Sequence, residues 1–130
     1  MTQAFTALLS VLVSATAFAA DAEKSFTCHD DNAEPGITVS VSYKIGAGAA
    51  DFMSLKSYVE LVDGSRVSEV EYTSNVRPQV QSDGSITFYG YNPDSSLNLN
   101  LNPATKKAAA TLKERTTPVE MLKLNCQEIR

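Results

Sequence analysis

One histidine, two cysteines and fifteen acidic side chains make up most of the reactive stock of this 130-residue chain, and their spacing limits what they can do. His29 is followed by Asp30, Asp31, Asn32 and Glu34, a run of nitrogen and oxygen donors of the kind a divalent cation accepts. An EF-hand loop alternates its ligands over about twelve residues around a glycine turn. This run does not match that spacing, so it reads as an exposed acidic loop turned by Pro35-Gly36, and no metal site is expected. Glu69 and Glu71 share one strand face, as a pair of catalytic carboxylates would. Their alternation with Val70 and Tyr72 is that of a solvated face. Gly46-Ala47-Gly48 lacks the following helix that turns a glycine-rich loop into a phosphate site, and reads as a connection. There is no G-x-S-x-G, H-E-x-x-H or Walker sequence. A nucleophile–base triad would have to borrow His29, the neighbour of a cysteine with another role. The expectation is a protein that is not an enzyme and has no cofactor.

That other role is a disulfide between Cys28 and Cys126, the one intramolecular pairing two cysteines allow. Closing a loop of about 100 residues is worth up to about 4.7 kcal/mol in the chain-entropy model. A redox function is disfavoured because no C-x-x-C is present. The compartment this implies agrees with the first 19 residues. Leu8–Phe18 form an apolar stretch too short to span a bilayer, and Ala17-Phe18-Ala19 has the small-x-small form of a signal-peptidase site. Residues 1–19 are therefore expected to be a cleavable signal peptide, and residues 20–130 a single secreted or periplasmic domain with no integral membrane segment.

The net charge of −4 argues against nucleic acid as a partner, since such binding needs a basic footprint. Charge is uneven along the chain: 12 acids and 5 bases lie in Ala20–Asn100, and 3 acids and 6 bases in Leu101–Arg130. Strands interleave on folding, so these segment totals need not become surface patches.

The elements that would position any site are strands. Leu97, Leu99 and Leu101 alternate with Asn98, Asn100 and Asn102, which puts leucines on one face and asparagines on the other. Ile37–Lys44, Ile86–Tyr89 and Leu122–Cys126 alternate in the same way. Asp63-Gly64, Asp83-Gly84, Asn92-Pro93-Asp94 and Asn102-Pro103 supply the turns. Matching apolar faces pairs Phe88 with Leu99, Ile86 with Leu101, Tyr89 with Asn98, Leu99 with Ala110 and Leu97 with Leu112. At Asp83-Gly84, a three-residue loop with Gly84 left-handed sets Val80 against Ile86. Ala50–Val62 fits a strand through Met53, Leu55, Val59 and Leu61 or a helix stripe through Phe52, Leu55, Val59 and Val62, with flanking glycines and β-branched content favouring the strand.

The fold class expected is all-β: a small antiparallel β-barrel, or alternatively a β-sandwich, of about eight strands. Closure is suggested by a cystine that joins the first and last strands and would bring two edges together. In overall layout this resembles the small exported lysozyme inhibitors, cystine-bearing β-barrels of similar size. Their Ser-Gly-x-x-Tyr type of inhibitory loop has no counterpart here, so the resemblance transfers no residues.

The same register gathers Tyr89, Tyr91, Asn98, Asn100 and Thr111 on the outer face. Tyrosine stacks or fills a pocket at low entropic cost, and asparagine both donates and accepts. The functional expectation is an exported, non-catalytic domain that binds a protein or glycan through its β surface or loops, in an inhibitor-like or adhesion-like role. The alternative is a carrier of a small apolar ligand in a barrel lumen. An interior filled by Ile86, Phe88, Leu97, Leu99, Leu101, Ala108, Ala110 and Leu112 is expected instead of a lumen.

Overall fold

A computed structural model describes residues 22–30, 36–46 and 49–129. The expected signal peptide and the loop residues Asp31, Asn32 and Glu34 lie outside the described residues. Among the described residues, nine strands form one antiparallel sheet: β1 (Ala22–His29), β2 (Ile37–Gly46), β3 (Ala49–Glu60), β4 (Arg66–Tyr72), β5 (Gln79–Val80), β6 (Ile86–Tyr91), β7 (Ser95–Asn102), β8 (Lys107–Glu114) and β9 (Glu120–Ile129). Their order across the sheet is β4-β3-β2-β1-β9-β8-β7-β6-β5. Ala50–Val62 falls in β3 and the loop after it, which settles its secondary structure as strand.

The hairpin registers follow the alternation. Phe88 faces Leu99, Ile86 faces Leu101 and Tyr89 faces Asn98, while Leu99 faces Ala110 and Leu97 faces Leu112. Val80 faces Ile86 across the Asp83-Gly84 turn, with Gly84 at φ +88°. Side chains lock the turns. Asp83 Oδ1 accepts from the Ser85 amide at 2.9 Å and its hydroxyl at 2.7 Å, and Asp63 makes the same pair of bonds to Ser65 at 2.9 and 2.6 Å. Those bonds favour the carboxylate and hold both aspartates below their ordinary pKa. Asn92 and Asn102 cap the next two turns by accepting from backbone amides two and three residues on.

Cys28 and Cys126 form the expected disulfide, directly opposite each other on β1 and β9 with Cα atoms 3.9 Å apart. Its place in the fold corrects the closure argument. The first and last strands are neighbours in the middle of the sheet, not its edges, so the cystine staples two interior strands together. The edges are β4 and β5, and among the described residues no ladder closes the sheet. The sheet nevertheless curls until its two sides touch. Just past β4, Thr73 exchanges both backbone hydrogen bonds with Tyr91 at 2.9 and 2.8 Å. Beside this bridge Gly90 is packed so closely that a Cβ there would lie 2.7 Å from Tyr72 Cβ and 2.8 Å from Leu55 Cδ2.

The curled sheet encloses one core. Phe26, Val39, Val41, Tyr43 and Leu55 from one side meet Ile86, Phe88, Leu97, Leu99 and Leu101 from the other, all fully buried. Tyr43 is the link: its ring centroid lies 6.4 Å from that of Phe26 and 5.2 Å from that of Phe88. Burial, and secondarily the nearby Glu128 carboxylate, push its phenol up to about 12. The Ser57 and Tyr72 hydroxyls, also buried, satisfy each other at 2.9 Å.

Two irregularities bend the β2–β4 side. Ser42 faces Ser54 but Tyr43 faces Phe52, so Met53 is an extra residue on β3. This corrects the expected strand face: Phe52 packs against the core in place of Met53, which is pushed out and exposed. Further along, Tyr58 stands opposite both Ser68 and Glu69, and Ser68 takes a left-handed φ of 54° to fit.

Candidate functional site

Because β6, β7, β8 and β9 pair without a break in register, their outward side chains fall into rows that cross the strands. One row runs Tyr89, Asn98, Thr111, Met121; the next runs Thr87, Asn100, Ala109, Lys123. A third runs from Asn102 through Lys107 to Asn125, and Tyr91, Ser96 and Lys113 make the row on the far side. The residues expected to form an outer face thus do share one. Asn98 and Asn100 are exposed, while Thr111 is half-buried between its neighbours.

Tyr89 and Tyr91, two apart on one strand, lie side by side with centroids 6.2 Å apart and planes 24° from parallel. Each keeps 37% of its surface open. The backbone bridge to Thr73 fixes this end of β6, so the two rings sit on an anchored strand. Asn100 is oriented by donating its amide to Thr87 Oγ1 at 3.0 Å and Ser85 Oγ at 3.4 Å. Beyond it the small side chain of Ala109 leaves an open groove of about 540 Å³, bordered by Asn100, Asn102, Thr105, Lys107, Lys123 and Asn125. Lys107 Nζ donates to Asn125 Oδ1 at 2.5 Å, which positions its charge at the rim.

Lys107, Lys123, Met121 and Asn125 were not among the residues expected to take part. The signal was present in the alternation of Leu122 and Leu124 with Lys123 and Asn125. Pairing that strand with β8 required bridging Arg115–Val119, where Thr116-Thr117-Pro118 marks a loop but fixes no hairpin length or register.

The other expected features are elsewhere. Glu71 faces Lys56 across β3 and β4, and Glu69 lies 3.7 Å from Lys56, an exposed ion pair on a solvated strand face. His29 Nδ1 lies 3.1 Å from Thr38 Oγ1 on the outer face of β1 and β2. Among the described residues, no three His, Cys, Asp or Glu side chains gather to hold a metal ion. No described helix is long and apolar enough to cross a membrane. The disulfide is compatible with an extracellular or other oxidising compartment.

Comparison with protein-family models, with curated proteins and with solved structures finds no match to the chain.

Proposed function

We propose that this is an exported, non-catalytic domain that binds another macromolecule through the outer face of β6–β9, in an inhibitor-like or adhesion-like role. One observation carries the reading: Tyr89 and Tyr91 are stacked and half open on an anchored strand, beside the exposed amides of Asn98 and Asn100. Rigid aromatics flanked by groups that both donate and accept lose little entropy on binding and discriminate by hydrogen bonding. The leader-like first 19 residues and the cystine support export.

Affinity capture from envelope extract tests this reading, with the mature wild-type domain and its Tyr89→Ala variant as baits. The wild type should retain a partner that the variant loses or holds at least about tenfold more weakly, with nearly unchanged melting temperature. Equal retention by both would remove the face from consideration.

A further inference from the structure

The outward positions of β6–β9 hold three lysines, Lys107, Lys113 and Lys123, and no acidic side chain. This is unexpected in a chain of net charge −4. The outward acids lie on the other side of the sheet, where Glu23, Asp51, Glu60, Glu69 and Glu71 stand among Lys44, Lys56 and Arg66. The uneven charge of the sequence has therefore become a cationic face.

We infer that the ligand of this face is an acidic polysaccharide, lying across the strands from the Tyr89–Tyr91 pair to the groove rimmed by Lys107 and Lys123. The inference rests on the binding function proposed above and names its partner class. With strands about 4.8 Å apart, the path from β6 to β9 covers about 15 Å, which suits several linked sugars better than one. At one end, the C–H face of a pyranose ring packs on an electron-rich aromatic face. In the middle, Asn98, Asn100 and Thr111 offer donors and acceptors to sugar hydroxyls. At the other end, ammonium groups meet carboxylates. A protein partner fits less well: protein interfaces centre on apolar and aromatic anchors and are depleted in lysine, whereas amides, a threonine and an alanine occupy the centre here.

The test titrates the mature domain with polygalacturonate oligomers, and with a neutral glucan, polyglutamate and a single-stranded oligonucleotide as competitors for the same face. Polygalacturonate should bind and weaken steeply with added salt. Tyr89→Ala, and separately the Lys107→Gln/Lys123→Gln pair, should each weaken binding at least about tenfold while circular dichroism shows an intact sheet. Tyr91→Ala provides a second aromatic variant should Tyr89→Ala lose structure. No binding of polygalacturonate overturns the inference, as does equal binding of polyglutamate or the oligonucleotide, which would reduce the face to bare charge. Preference for the neutral glucan would overturn the role of the lysines. If polygalacturonate fails while Tyr89→Ala still loses the partner captured from extract, this inference falls and the broader binding function stands.

Discussion

Both sides of the sheet carry an aromatic residue outward, and they treat it in opposite ways. On the β2–β4 side Tyr58 is covered: the Arg66 guanidinium sits 4.2 Å above its ring and only 2% of the residue is exposed. On the β6–β9 side Tyr89 and Tyr91 neighbour each other and each keeps 37% of its surface open. Charge and regularity divide the same way. The β2–β4 side mixes acids with bases and contains two bulges, while the β6–β9 side is cationic and unbroken in register. Bulges add local twist and bend, which here swings Leu55 and Tyr72 against Gly90 and wraps the sheet over the core. Unbroken ladders keep rows straight and, in the binding role proposed above, would present a ligand with a fixed surface. One side shapes the domain and the other displays residues.

The largest expected effect tests whether the sides are stapled together at the β1–β9 junction. Replacing both Cys28 and Cys126 by alanine should lower stability by about 2–5 kcal/mol in chemical denaturation. A change near zero would show that hydrogen bonding and packing alone join β1 to β9. The seam where the sides touch is next. Gly90→Ala forces a methyl group into Tyr72 and Leu55 and should cost about 1–3 kcal/mol, whereas alanine in an open strand position is nearly neutral. A neutral result would mean that the curl is looser than described.

Tyr43, which connects the sides through the core, gives an effect confined to alkaline solution. Its pKa is raised from 10.0 to about 12 in the folded state, so between these values the unfolded chain loses a proton that the native domain keeps. Its contribution is therefore complete below pH 10.0 and lost as the pH rises toward about 12. Denaturation midpoints followed through that window should fall less in Tyr43→Phe than in the wild type. Identical profiles would refute the burial of the phenol. The smallest effect belongs to the irregular side: Ser68→Gly relieves a left-handed φ and should stabilise by up to about 1 kcal/mol, readable as a small rise in melting temperature.

Regularity also decided what was legible in the sequence. The registers of β6–β8, their buried leucines and the left-handed Gly84 follow from alternation and turn chemistry, because strict alternation leaves a single solution on a half-buried strand. The bulge at Met53 has no such signature, since Met53 and Phe52 are both apolar and either satisfies the inward face. The curl was legible only in part. A cystine between the terminal strands implies that they are close, but says nothing of whether they are edges, and Gly90 reveals its role only when Tyr72 is seen against it. Half of the candidate site, the tyrosines and asparagines, was likewise readable from one pair of hairpins. Lys107 and Lys113, on β8, follow from the same register, whereas Lys123 joins the face only through the β8–β9 pairing, across a connection whose Thr116-Thr117-Pro118 marks a loop without fixing a register.

The central proposal, that the β6–β9 face is the functional side, is tested most directly by backbone amide hydrogen exchange of residues 20–130, free and saturated with the partner captured from envelope extract. New protection should appear around Tyr89, Tyr91, Asn98, Asn100, Lys107 and Lys123 while β2–β4 exchanges as before. Protection confined to β2–β4 or to the turns, with β6–β9 unchanged, would contradict it.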